Sequence, residues 1–133
     1  NIKSHGTYEL GIMNGKWTFF FNNGIKEKEG TLVNGKADGL WTFWDNESNK
    51  VQEGSFSKGS KEGKWSAWFD DGRLSEGYYS GGKKDATWTS WWNSTKELKE
   101  MQGSYRLGKM VDKWFFYDPN GNLKEIRYFS PTF

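Results

Sequence analysis

Aromatic and β-branched residues alternate with polar ones in short runs along this chain, and glycine-rich turns break the runs at regular intervals. The stretch Gly30-Thr-Leu-Val-Asn and the stretch Trp41-Thr-Phe-Trp are representative. Alternation of this kind puts one set of side chains on each face of a strand. Between such runs lie polar, glycine-dense segments, Gly35-Lys-Ala-Asp-Gly39 and Gly59-Ser-Lys-Glu-Gly63, which read as hairpin loops. Asn23-Gly24, Asp71-Gly72 and Asn120-Gly121 read as return turns. No segment combines apolar positions at i, i+3, i+4 and i+7 with helix caps. The pattern therefore predicts an all-β chain of antiparallel hairpins.

The hairpins repeat. Taking Trp17, Trp41, Trp65, Trp88 and Trp114 as reference points, a glycine stands eleven residues before each: Gly6, Gly30, Gly54, Gly77 and Gly103. Another stands six residues before: Gly11, Gly35, Gly59, Gly82 and Gly108. A third, two residues before, is present as Gly15, Gly39 and Gly63 and replaced by Ala86 and Asp112. Three residues after each Trp comes a further ring: Phe20, Trp44, Trp68, Trp91 and Tyr117. The expected organisation is one array with units at about 6–29, 30–53, 54–76, 77–102 and 103–126 and a terminal strand at 127–133. Pro131, which has no N–H to donate, is expected to end the sheet. Odd spacing from Trp puts the second ring row on the opposite face, so both faces should carry aromatic rows. A further row, Glu29, Glu53, Glu76, Gln102 and Glu125, lies among lysines and is expected to form a solvated edge.

Composition changes the picture in one respect. Leu, Ile and Val total 14 residues, against 25 for Phe, Trp and Tyr. Two packed layers need more aliphatic side chains than that. The chain should instead be thin and elongated, with rings supplying most of the apolar area. The net charge of +2 comes from interspersed acids and bases, without the basic stripe that nucleic acid requires. No run of about 18 apolar residues is present to cross a bilayer. The first residue is Asn1, so the chain is expected to be trimmed, processed or part of something longer.

Catalytic chemistry finds little footing. Cysteine is absent, and the single histidine, His5, reads as an N-terminal tail residue outside the repeat. Nucleophile–base pairs and the common zinc sites lack their residues. Asp38, Glu62 and Asp85 recur three residues before a Trp and could suggest paired carboxylates. Short acids in glycine loops more simply bond their own backbone. No glycine loop is followed by a helix or a Lys-Ser/Thr signature, so the glycines are read as turn residues and not as phosphate cradles. The sequons at Asn46 and Asn93 both fall in expected return turns. The chain is expected to be no enzyme and to use no cofactor or metal.

These units, with three glycines and a Trp in register, resemble the bacterial variant of the MORN repeat, the type found in YwqK-family antitoxins. The resemblance spans residues 6 to about 126. It implies a single-layer, twisted antiparallel sheet of tandem hairpins that serves as a scaffold or partner-binding surface, without catalytic residues. The partner is expected to be a protein, engaged in the manner of an antitoxin or immunity protein. The candidate contact residues are Trp44, Trp68, Trp91, Trp92 and Tyr117, with contacts concentrated in the irregular fourth unit. A cell-surface carbohydrate-binding module that stacks sugars on Trp is the alternative, and a membrane-surface adaptor comes third.

Overall fold

The computed structural model describes residues 3–130. Every regular element among them is a strand: β1 Ser4–Glu9, β2 Ile12–Phe20, β3 Lys26–Val33, β4 Lys36–Trp44, β5 Lys50–Ser57, β6 Ser60–Trp68, β7 Leu74–Ser80, β8 Lys83–Trp91, β9 Lys99–Arg106, β10 Lys109–Tyr117 and β11 Leu123–Phe129. They hydrogen-bond in chain order in one open sheet, as expected of tandem hairpins. Pro131 lies outside the described residues. The chain divides into two compact units, Asn1–Gly63 and Lys64–Phe133.

The hairpin turns are shorter than the sequence suggests. In the first unit Val33 pairs with Lys36, leaving only Asn34-Gly35 between the strands. Both residues have positive φ, 53° and 80°. That is the type I′ turn, whose twist matches the flanking strands. In the second unit Ser80 pairs with Lys83 around Gly81-Gly82, and Arg106 with Lys109 around Leu107-Gly108. The segment from Gly35 to Gly39 is therefore mostly strand and not loop. Asp38 pairs with Thr31, and Asp85 with Tyr78, inside the sheet.

The third glycine of the repeat marks a bulge. Gly30 pairs with Trp41 but Thr31 with Asp38, so β4 carries two extra residues, Gly39 and Leu40. The second unit repeats the shift between Glu76 and Tyr78 and between Val111 and Phe115. The residue two before Trp is left-handed wherever it is glycine, and remains so where it is not: Ala86 has φ 58° and Asp112 φ 61°. The departure in sequence leaves the local geometry unchanged.

The bulge positions the buried Trp row. Skipping two residues frees a carbonyl just after the first glycine, and the indole N–H takes it. Trp17, Trp41 and Trp88 donate to the carbonyls of Thr7, Thr31 and Tyr78, each at 2.9 Å, and Trp114 to that of Ser104 at 3.1 Å. Each ring lies flat over the glycine of the neighbouring strand. A β-carbon on Gly30 would stand 2.2 Å from the Trp41 ring, and one on Gly77 2.0 Å from Trp88. Close approach therefore requires glycine at that position, and burial of a whole indole offsets its conformational cost.

In the first unit Trp17, Leu32 and Trp41 form the buried cluster, flanked by Met13, Phe19, Phe43 and Phe56. Trp65, Leu74, Trp88, Val111 and Trp114 are the buried apolar residues of the second. There Tyr79 and Tyr105 alternate with the indoles in edge-to-face contacts at 5.1–6.1 Å. Burial pushes the phenol pKa of both tyrosines up.

Candidate functional site

One residue beyond each glycine–indole contact, the opposite face is built from hydroxyls and carboxylates. In the first unit Thr18 Oγ1 donates to Glu29 Oε2 at 2.6 Å, and Thr42 Oγ1 to Glu53 Oε2 at 2.7 Å. Lys26 Nζ lies 3.3 Å from Glu29, and Lys50 Nζ 3.2 Å from Glu53. In the second unit Ser66 Oγ donates to Glu76 Oε2 at 2.7 Å, and Lys96 Nζ is 2.8 Å from Glu76 Oε1. Gln102 Nε2 donates to Thr89 Oγ1 at 2.7 Å, a neutral version of the same rung.

These acids are not the solvated edge that their lysine neighbours suggested. The side chains of Glu29 and Glu76 are 19% and 13% exposed and bonded across strands. The Thr18 hydroxyl bond, then the Lys26 ammonium, hold the Glu29 carboxyl below its ordinary value despite partial burial. Burial pushes Glu76 up, and the bonds from Lys96 and Ser66 outweigh it. Glu125 is the exception: at the exposed strand β11 it pairs with Arg127 at 2.6 Å. His5 also sits differently from expectation. It lies in β1 opposite Thr18, the register position that Glu29 holds opposite Thr42.

The second ring row stands beside these rungs. Phe20 and Trp44 in the first unit, and Trp68, Trp91 and Tyr117 in the second, are all half-buried, whereas the reference Trp row is buried. The cations of the rungs lie over them: Lys26 Nζ is 5.9 Å from the Trp44 ring and Lys96 Nζ 5.5 Å from Trp91. Trp92 follows the end of β8 in a turn longer than the others, where its backbone N–H donates to the Leu98 carbonyl at 2.8 Å. Its Nε1 is buried and has no hydrogen-bond partner among the described residues. In the first unit Trp44 lines a hollow of about 360 Å³ together with Phe21, Phe43 and Val51.

A second hollow, which sequence reading missed, opens on the Trp face of the second unit. Two residues after each reference Trp the chain has Phe19, Phe43, Ala67, Ser90 and Phe116. In the first unit the phenylalanine stacks beside the indole, Trp17–Phe19 at 6.0 Å and Trp41–Phe43 at 6.4 Å. Ser90 leaves that place open beside Trp88, and a cavity of about 220 Å³ results, walled by Trp88, Tyr105 and Met101. Lys84, Arg73 and Glu100 stand at its rim. The signal was the change at this position within an otherwise regular row.

Turns, bulges, indole contacts and rungs recur with the sequence period, which defines a non-helical hairpin-repeat protein. Residues 13–34 and 113–130 match the MORN repeat variant, and the match supports a MORN-repeat protein. MORN repeats generally serve binding and scaffolding and are a non-enzymatic repeat type. No curated protein matches the chain. Among the described residues no three His, Cys, Asp or Glu gather as metal ligands, and no helix is long and apolar enough to cross a membrane.

Proposed function

We propose that the chain is a non-enzymatic scaffold that binds a protein partner, in the manner of an antitoxin or immunity protein, through the face bearing the second ring row. Trp44 serves in the first unit, and Trp68, Trp91, Trp92 and Tyr117 in the second. The observation that carries this reading is the half-burial of large rings on the face where hydroxyl–carboxylate rungs already bond the strands. Rings of this size left partly open, with cations beside them, have the composition of an interface hot spot. The unpartnered Trp92 Nε1 adds a donor whose burial cost a partner carbonyl would offset.

The test is capture of the partner by parent, Trp68→Ala and Trp91→Ala chains, with thermal melting alongside and Trp65→Ala as the structural control. The two face variants should lose capture while melting well above Trp65→Ala. Undiminished capture by both variants would end the proposal, as would a face that binds glycans and no protein.

A further inference from the structure

We infer that the hollow beside Trp88 is a binding site for a small apolar carboxylate, its ring or alkyl body taking the place of the missing phenylalanine and its carboxylate meeting Lys84. The site lies on the Trp face, so it stands or falls separately from the protein-binding reading.

Two positions that vary along the repeat converge there. The first is Ser90, at a position that is Phe19, Phe43, Ala67 and Phe116 in the other repeats. A phenylalanine ring is what this fold elsewhere places beside the indole, so the vacancy has the shape and polarity for a flat apolar group. The second is Lys84, four residues before Trp88, at a position that is Met13, Ala37, Lys61 and Met110 in the other repeats. Its Nζ lies 4.6 Å over the Trp88 ring and 5.1 Å over Tyr105. No carboxylate among the described residues is within ion-pair distance of it. An ammonium held against two rings is partly stripped of water and retains donors for an anion.

The remainder of the rim agrees with a single negative charge on the ligand. Arg73 donates to Glu100 at 2.7 Å, so the one acid of the lining is already neutralised. Lys84 is left as the net charge. On the floor Ser90 Oγ donates to Ser75 Oγ at 3.3 Å, which leaves acceptor capacity on both hydroxyls and a polar end to an otherwise apolar slot. At about 220 Å³ the cavity is smaller than pockets for drug-sized molecules, which begin near about 300 Å³, and suits a body of one ring.

Phenylacetate and its neutral analogue phenylacetamide are the probes, titrated into the full chain while the Trp88 indole and Tyr105 signals are followed by NMR. Phenylacetate should bind with a Kd on the order of millimolar, as its size dictates. The amide, and phenylacetate with Lys84→Met, should each bind about ten-fold more weakly, the worth of one charge-assisted hydrogen bond. Ser90→Phe should abolish the shifts while melting at or above the parent temperature. Both substitutions install the residue other units carry, so loss of fold does not cloud the result. Trp68→Ala should bind phenylacetate as the parent does. Absence of shifts in the parent at about ten times the expected Kd would overturn the inference. Equal binding by Ser90→Phe, or equal binding of acid and amide, would do so as well.

Discussion

At the scale of single residues, glycine and tryptophan act as one unit. The indole needs a flat platform on the neighbouring strand and a carbonyl for its N–H, and glycine next to a bulge supplies both. Changing either member should destabilise the chain. Trp65→Ala is expected to lose about 3–5 kcal/mol in urea unfolding. Gly77→Ala, which adds a single methyl group 2.0 Å from the Trp88 ring, should lose about 1–3 kcal/mol through forced displacement of the indole. The bulge residue predicts the opposite sign elsewhere. Ala86 holds φ 58° where three other units have glycine. A left-handed L-residue costs about 1–2 kcal/mol, and glycine gives back about half in lost chain entropy. Ala86→Gly should therefore stabilise the chain by up to about 1 kcal/mol. A destabilised Ala86→Gly would mean that its methyl group has a packing role that the exposed position does not show.

At the scale of paired strands, the hydroxyl–carboxylate rungs tie stability to pH. Glu29 is held below the ordinary glutamate value of 4.5, and Glu76 is shifted the same way. A depressed carboxylate contributes stability that is fully present above its unfolded value and lost as pH falls through the folded one. Melting temperature should thus be level from about pH 7 to 5.5 and decline below about pH 4.5. Glu29→Gln should flatten part of that decline, because Gln102 already makes a neutral rung with Thr89. An unchanged acid slope in Glu29→Gln would remove this rung from the account. Periodicity made the hairpins and the two ring rows legible in the sequence, since glycine and Trp positions encode turn and face directly. It did not distinguish a turn glycine from a bulge glycine: Gly35 and Gly39 both have positive φ, and only the pairing of Gly30 with Trp41 separates their roles. Glu29 looked solvated because its neighbours in sequence are lysines, while its hydrogen-bond partner, Thr18, lies on another strand. The Ser90 hollow stayed hidden because a vacancy has no residue to announce it.

At the scale of the whole molecule, eight of the nine tryptophans sort by face into two populations with different work. Trp17, Trp41, Trp65, Trp88 and Trp114 are buried, from 1% to 6% exposed, and the indole N–H groups of Trp17, Trp41, Trp88 and Trp114 donate to strand carbonyls. Trp44 and Trp91 are half-buried, with the rung cations Lys26 and Lys96 over their rings. Indole hydrogen exchange reads this division directly, because exchange of a bonded, buried N–H waits for local opening of the sheet. The N–H groups of Trp17, Trp41, Trp88 and Trp114 should exchange at least about a hundred-fold more slowly than those of Trp44 and Trp91, a ratio that a few kcal/mol of opening free energy produces. Central and terminal members of the buried row also need not match, since strands toward the ends open more readily. The comparison that matters is therefore within a unit, Trp41 against Trp44 and Trp88 against Trp91. Comparable rates within both pairs would mean that the second row is as firmly held as the first, and the rings proposed for partner binding would then be core. A separation within both pairs leaves apolar area that folding does not consume, and slowing of the Trp91 indole alone on addition of the partner would place the contact on that face.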